Sequence, residues 1–234
     1  MYELAVWMVI LIVLSAGAIG GGYLVGERIL GQEAARRNMR YGLPWIALGF
    51  AIAFLTPIVF TQWLMVPLLY VIGVGGWLLS WPFRKQASGG LVFNAGRPPQ
   101  SRFLLWIGLL EGVVAAYMTW SSLLIRDFYS GGSISTLIGL VFWWTLTVFF
   151  IALGLNNLEL RKNGVCFMYT VIPWSRMISY RWEASKPTTL TIRLKPRLPI
   201  LPDFMSVNVP KPHRGAIDRI VAIYISSETL SQSS

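Results

Sequence analysis

Charged residues, cysteine and histidine are all scarce in this 234-residue chain, and each scarcity excludes a class of protein. Only 13% of the residues are charged, whereas soluble domains contain about 25%. So low a charge excludes a disordered chain and argues against an ordinary soluble enzyme. The single cysteine, Cys166, excludes an internal disulfide framework and a multi-cysteine zinc site. The single histidine, His213, excludes a two-histidine metal centre within one chain, so no metal site is predicted.

Apolar residues make up 55% of the chain and are concentrated in five long stretches. A helix rises about 1.5 Å per residue, so about 20 apolar residues cross a hydrocarbon core of ~30 Å. The first stretch follows Glu3 rather than a basic segment, which indicates a retained membrane helix and not a cleaved signal peptide. The sequence therefore predicts transmembrane helices at 4–25, 43–60, 63–82, 103–125 and 134–155.

The basic residues predict the orientation of these helices. They are concentrated in linkers 26–42 and 83–102 and after residue 155, whereas connection 126–133 holds one arginine balanced by one aspartate. Because basic loops stay on the cytoplasmic side, residues 43–82 must cross the membrane twice. Nineteen of the twenty cations then lie inside. The predicted fold is a membrane all-α bundle of five transmembrane helices, with the N-terminus outside and the C-terminus inside.

Basic residues beside the predicted spans are candidate ligands for anionic lipid headgroups. Linker 26–42 either extends the first helix into the cytoplasm or lies on the membrane surface, with its arginines on the headgroups. Linker 83–102, which is rich in glycine, serine and proline, has the composition of a flexible loop. The candidates are Arg28, Arg36, Arg37, Arg40, Arg84 and Lys85.

The apolar pattern changes from helical to alternating after residue 155. Alternation predicts half-buried antiparallel strands over 158–161, 165–170, 178–182 and 190–194, with a short strand at 204–208. A stripe of apolar residues spaced i, i+3, i+4 and i+7 from Ile217 predicts one amphipathic helix that closes a curled sheet. The predicted domains are a membrane domain at 1–155, a small cytoplasmic β-rich domain at 156–226 and a disordered tail at 227–234.

The segment NGVCFMYTVIPWSRMISYRW, residues 163–182, combines a strand, an Asn-Gly turn and a second strand with Ile-Pro-Trp and Tyr-x-Trp. It resembles the core motif of bacterial pleckstrin-homology-like domains, and the resemblance covers 156–226. It is most similar to an uncharacterised bacterial family, with cyanobacterial members, of small membrane proteins that end in such a domain. The resemblance implies a small barrel-like domain and no established activity. Only Arg161 and Lys162 fall in the first hairpin, which counts against inositol-lipid binding. The motif residues are Asn163, Gly164, Pro173, Trp174, Tyr180 and Trp182.

Glu111 is the one formally charged residue within a predicted span. A carboxylate in the apolar layer is costly, so it should be protonated, paired or directed at a cavity. It is either a proton, ion or ligand site, or a neutral side chain that bonds to a neighbouring helix. In the first span, small residues four apart predict a surface where another helix approaches closely. These residues are Gly17, Gly21, Gly22 and Gly26.

These features predict a non-enzymatic integral membrane protein, a subunit, assembly or scaffolding factor of a larger membrane complex in the bacterial cytoplasmic or thylakoid membrane. Its predicted partners are membrane lipids and a membrane protein. Nucleic acid is not a predicted partner, because the cations are spread over the strands at a membrane surface, and no cofactor follows from the sequence. The first alternative is a small transporter or channel subunit that uses Glu111. The second is a lipid-modifying enzyme, for which the linkers offer only Glu27 and Glu33 as acids.

Overall fold

The computed structural model describes residue 17 and residues 19–41, 65–124, 134–196 and 202–231. These residues belong to two units. One unit contains the described residues up to 41 and those from 176 onward, and the other contains the described residues between 65 and 175. The boundary between Ser175 and Arg176 divides the region that the sequence predicts as one β-rich domain. The predicted span 43–60 and most of span 4–25 lie outside the described residues.

The first unit begins with a helix that is interrupted at one glycine. Helix α1 (residues 19–30) and helix α2 (residues 32–41) meet at Gly31, whose φ is +90°. A Cβ at this position would lie 2.8 Å from Ser185 Oγ and 2.9 Å from Lys186 Cβ. The break therefore needs glycine for two reasons: the left-handed backbone conformation and the close approach of the turn that contains residues 185 and 186.

The described residues of the second unit contain four helices: α3 (Met65–Leu79), α4 (Trp81–Ala87), α5 (Pro99–Leu124) and α6 (Ile134–Leu155). Among the described residues, three stretches are helical, long and apolar enough to cross a membrane: Met65–Ala87, Pro99–Leu124 and Thr136–Leu155. They overlap the predicted spans 63–82, 103–125 and 134–155. The chain thus has the composition of a multi-pass membrane protein, and a helical N-terminal part precedes its small β-sheets.

Helices α5 and α6 pack closely because small residues face the neighbouring backbone. A Cβ at Gly154 would lie 2.5 Å from Leu105 Cα, and one at Gly108 would lie 2.7 Å from the backbone nitrogen of Ile151. Ala115 is completely buried. Without a hydrophobic driving force between helices in lipid, such close backbone contact is a main source of helix association.

The first sheet of the protein begins in linker 83–102, where the composition predicted a flexible loop. Strand β1 (Leu91–Asn94) forms the edge of a four-stranded antiparallel sheet, in which it pairs with β2. That loop prediction is wrong for residues 91–94, because their backbone groups are hydrogen-bonded to a strand about 65 residues later in the chain. The other strands are β2 (Glu159–Arg161), β3 (Gly164–Phe167) and β4 (Thr170–Pro173), in the order β1-β2-β3-β4.

The predicted hairpin between the first two strands of the tail is confirmed, since β2 and β3 pair across a turn at residues 162–163. Gly164 is needed there because a Cβ would overlap the carbonyl oxygen of Ile172. The strand predicted over 165–170 ends earlier, at Phe167, because Met168 and Tyr169 adopt positive φ values of 47° and 57° and form the next turn.

The remaining strands form a separate sheet in the first unit. Strands β5 (Met177–Trp182), β6 (Thr189–Leu194) and β7 (Phe204–Asn208) are antiparallel in the order β5-β6-β7. The last described helix is α7 (Arg214–Ser231), whose predicted apolar stripe is confirmed by the burial of Ile217 and Val221. Two sheets therefore replace the single curled sheet that was predicted. Because α7 continues to Ser231, the disordered tail predicted from residue 227 is helical up to that point.

Candidate functional site: an arginine cleft

Three of the predicted headgroup ligands lie on one face of α2. Their spacing, counted from Glu33, is i, i+3, i+4 and i+7 for Glu33, Arg36, Arg37 and Arg40. A helix brings residues at this spacing to the same side. Arg36 and Arg40 are exposed, whereas Arg37 is half-buried. The face is therefore cationic, with one arginine directed inward between two that remain accessible.

The β5–β6 pair supplies two further arginines that sequence analysis did not single out. Ser179 pairs with Arg193 and Arg181 pairs with Thr191 across the two strands. Since alternate residues of a strand point to the same face, these four side chains and Glu183 share one face of the sheet. Their alternation with apolar residues was visible in the sequence, but it indicated only a solvated face and not a site.

Within the described residues, two cavities of about 470 and 370 Å³ lie between α2 and this sheet, and Arg37 and Arg181 line both. Volumes of a few hundred Å³ are typical of sites for small ligands. We call the two cavities together the arginine cleft. It is lined by Gln32, Glu33, Arg36, Arg37, Arg40, Ser179, Tyr180, Arg181, Thr191, Arg193, Asp203 and Phe204.

The inner wall of the cleft is organised by a buried carboxylate. The Glu183 side chain is 1% exposed, and its Oε1 accepts hydrogen bonds of 2.5 Å from Arg37 Nη2 and from the Thr191 hydroxyl. Burial alone would raise the pKa of Glu183, but the hydrogen bonds from Thr191 and Arg37 outweigh it and hold the pKa below its ordinary value. Glu183 is thus ionised at neutral pH and fixes the position of the Arg37 guanidinium.

Aromatic contacts hold α2 against the end of β7. The Arg37 guanidinium lies 5.2 Å from the centre of the Phe204 ring, and the Tyr41 ring meets Phe204 edge-on at 5.4 Å. The Tyr41 hydroxyl also donates to Asp203 Oδ1 at 3.3 Å. A guanidinium over an aromatic face adds an attraction of about 0.5–1 kcal/mol. These contacts connect α2 to β7 on this side of the cleft.

The C-terminal end of α1 is held by side chains that donate to its carbonyl oxygens. Asn208 Nδ2 donates to the carbonyl oxygen of Ile29 at 2.5 Å, and the Lys186 ammonium group donates to that of Arg28. Burial lowers the pKa of Lys186. The contribution of Arg28 to this unit is thus its carbonyl group, while its side chain is exposed.

The cleft has more positive charge than its own carboxylates neutralise. Arg181 Nη2 lies 3.7 Å from Glu33 and 3.6 Å from Glu183, and Glu183 also pairs with Arg37. In the described part of the chain, Arg36, Arg40 and Arg193 form no ion pair. A guanidinium keeps its charge at all physiological pH values and donates from five N–H groups, so these three can hold an anion.

The other two predicted headgroup ligands make contacts inside the second unit. The Arg84 guanidinium donates to the carbonyl oxygens of Trp77 and Tyr169 and lies over the Trp77 and Trp81 rings. The Lys85 ammonium group lies 2.6 Å from Glu159, whose side chain is 8% exposed. Lipid binding by either residue stays a prediction.

Glu111 and the four glycines predicted for helix packing are not among the residues that line the cleft. Glu111 is half-buried in the middle of α5. Among the described residues, nothing lies within 4 Å of a Cβ placed at Gly17, Gly21 or Gly22, whereas one at Gly26 would contact Ala35 at 3.6 Å. Their functional roles therefore stay predictions.

Two tryptophans of the predicted motif have structural contacts. Trp174 is buried, and its indole nitrogen donates to the carbonyl oxygen of Arg161 at 3.0 Å. The Trp182 indole nitrogen donates to Asp218 Oδ1 at 2.7 Å, and this hydrogen bond connects β5 to α7.

The other motif residues also lie in or beside strands. Burial, and to a smaller extent the charge of Asp218, raises the pKa of the Tyr180 phenol. Pro173 ends β4, beside Gly164 in the register of β3.

Residues 156–226 match the family described as Domain of unknown function (DUF5673). This DUF5673 region contains β2–β7 and most of α7. No curated protein matches the chain, and neither does any solved structure. No group of three or more His, Cys, Asp or Glu side chains among the described residues could hold a metal ion.

Proposed function

We propose that this chain is a non-enzymatic integral membrane protein that acts as a subunit, assembly or scaffolding factor of a larger membrane complex. The arginine cleft is the observation that carries the proposal. It is a preformed site with an excess of cations, and three of its arginines are available for contacts with another molecule. A site of this kind holds an anionic group of a partner or lipid in place.

The residue types in the cleft support binding rather than catalysis. Arginine does not give up its proton, so the five arginines cannot serve as general bases. Glu183 is a carboxylate, but its Oε1 accepts hydrogen bonds from Arg37 and Thr191, and these hold its pKa below the ordinary value, which makes it a weak base. Arg36, Arg40 and Arg193 form no ion pair within the described residues, and a guanidinium recognises an anion by geometry through two parallel hydrogen bonds.

Two finer features belong to the same proposal. The region 156–226 is a pleckstrin-homology-like interaction domain, which is supported by its antiparallel strands and single closing helix. The bundle has its N-terminus outside and its C-terminus in the cytoplasm of a bacterial cell or on the equivalent side of a thylakoid, which is supported by the distribution of basic residues. In this topology α2 lies in a cytoplasmic linker, so the cleft is at the cytoplasmic surface of the membrane.

Native mass spectrometry of the full-length tagged chain, purified from its membrane in mild detergent, tests the proposal. We expect a stoichiometric partner that is lost when Arg36 and Arg40 are both changed to glutamate. The matched control is Arg219→Glu, which reverses the charge of an exposed arginine on α7 and should leave the complex intact. A chain that is monodisperse and free of partners under the same conditions would contradict the proposal.

A further inference from the structure

The charge of the arginine cleft specifies the charge of its ligand. Five arginines line the cleft, and three carboxylates line or contact it, namely Glu33, Glu183 and Asp203. The formal excess is therefore two positive charges. A phosphate monoester carries about −1.5 to −2 at pH 7 and has three strong acceptor oxygens. A phosphodiester carries a single negative charge and would leave part of the excess unbalanced.

The choice of basic residue points to the same chemistry. Every basic residue in the lining is arginine. The planar guanidinium matches the oxygens of a phosphate group with two parallel hydrogen bonds, whereas lysine acts as a point charge. A surface that merely attracts a membrane would not need this geometry.

The arginines of the cleft fall into two groups: some pair with carboxylates of the chain, and the others are available to bind an anion. Arg37 is held by Glu183 and by the Phe204 ring, and Arg181 lies between Glu33 and Glu183. These contacts fix the wall. Arg36 and Arg40 from α2 line the cavity of about 470 Å³, and Arg193 from β6 lines the cavity of about 370 Å³. None of these three arginines forms an ion pair within the described residues. A wall that is already in place lowers the entropy lost on binding.

We propose that the arginine cleft binds a phosphate monoester dianion, held by Arg36 and Arg40 in one cavity and by Arg193 from the adjoining cavity, which shares Arg37 and Arg181 with the first. The group is either the headgroup of a lipid such as phosphatidic acid or a soluble phosphate. This inference rests on the proposed function only in taking the cleft as the interaction site, and it needs no protein partner to be tested.

The lipid arm of the test uses native mass spectrometry of the full-length chain in detergent with phosphatidic acid, phosphatidylglycerol or phosphatidylcholine added. The soluble arm uses isothermal titration calorimetry of the same sample with inorganic phosphate. Binding of phosphatidic acid in preference to phosphatidylglycerol identifies the lipid source, and a phosphate heat signal identifies the soluble source. Either result supports the proposal.

The variants are Arg36→Gln combined with Arg40→Gln and, separately, Arg193→Gln from the other side of the cleft. Each should weaken the observed binding roughly ten- to a hundredfold, because hydrogen bonds to charged groups are lost. Arg219→Gln is the matched control and should bind as the wild type does. Because the two variants change different elements, misfolding of one does not remove the test.

No binding in either arm would overturn the proposal, as would equal binding of phosphatidic acid and phosphatidylglycerol without a phosphate signal. Binding that both cleft variants retain would also overturn it. A chain that binds the dianion but has no protein partner would contradict the proposed function alone. A stoichiometric complex whose cleft takes no phosphate would contradict this inference alone.

Discussion

The contact between Glu183 and Arg37 allows the most specific test of how α2 is attached to the three-stranded sheet. Glu183→Gln keeps the shape of the side chain but removes its charge. Arg37, whose side chain is 27% exposed, then loses a charged partner at 2.5 Å, and the Thr191 hydroxyl loses a charged acceptor. We expect α2 to open from the sheet more often, without a change in the helices of the second unit.

The size of the effect follows from the burial of the two partners. Removing one partner of a fully buried ion pair costs about 3–5 kcal/mol, and a single hydrogen bond to a charged group contributes about 1.5–3 kcal/mol. Because water still reaches Arg37, we expect a value toward the lower end, about 2 kcal/mol. Local opening should therefore become about thirtyfold more frequent.

Amide hydrogen exchange of the full-length chain in detergent, followed by mass spectrometry, measures this opening in peptides from α2, β5 and β6. Glu33→Gln is the matched control: it is the same substitution in a carboxylate that is 60% exposed and 3.7 Å from Arg181. Such surface pairs contribute at most about 1 kcal/mol. If Glu183→Gln accelerates exchange no more than Glu33→Gln does, the reasoning about the buried pair is wrong.

The same pair predicts a dependence on pH. The pKa of Glu183 is lower in the folded chain than its ordinary value of 4.5, so its contribution to stability is complete above 4.5. That contribution is lost as the pH falls from there through the folded pKa. The thermal unfolding midpoints of wild type and Glu183→Gln should consequently differ at pH 7 and converge in acid, whereas a constant difference would contradict the assignment.

Two further predictions concern packing elsewhere in the chain. Gly154→Ala places a methyl group 2.5 Å from Leu105 Cα and should force α5 and α6 apart. It should lower the thermal unfolding midpoint in detergent, whereas Gly73→Ala, with no described atom within 4 Å of the new methyl group, should not. Trp182→Phe removes the 2.7 Å hydrogen bond to Asp218 and should destabilise the docking of α7 by about 1–2 kcal/mol. Exchange in α7 should become about five- to thirtyfold faster, and an unchanged rate would show that this bond does not hold the helix.

The helices and most strands could be predicted because their signals are local. A run of about 20 apolar residues is enough to indicate a span, and alternation over five or six residues is enough to indicate a strand. The spans at 63–82, 103–125 and 134–155 and the strands β5, β6 and β7 are recovered in this way. The β2–β3 hairpin was visible for the same reason, since turn chemistry depends on adjacent residues. Its turn lies at residues 162–163, one position before the predicted Asn163-Gly164 pair.

Strand β1 had no comparable signal. Leu91–Asn94 is short, lies between glycine-rich segments and is exposed on both faces. It is a strand because its backbone groups pair with Glu159–Arg161. The Arg161 guanidinium adds hydrogen bonds to the carbonyl oxygens of Lys85 and Gly89. A partner so distant in the sequence cannot be inferred from local composition.

The sequence by itself determined that the chain has helices long and apolar enough to cross a membrane, and a basic, β-rich C-terminal region. Hydropathy, charge and strand periodicity are properties of neighbouring residues. The sequence also identified Arg36, Arg37 and Arg40 as possible contacts for anionic groups. Only the tertiary structure decided that they form one side of a cleft. Arg181 and Arg193 complete that cleft, and Glu183 contacts Arg37 across 146 positions of sequence. Which cations converge and which are neutralised depends on how α2 packs on the sheet, and that packing is the sum of many contacts between residues far apart in the chain.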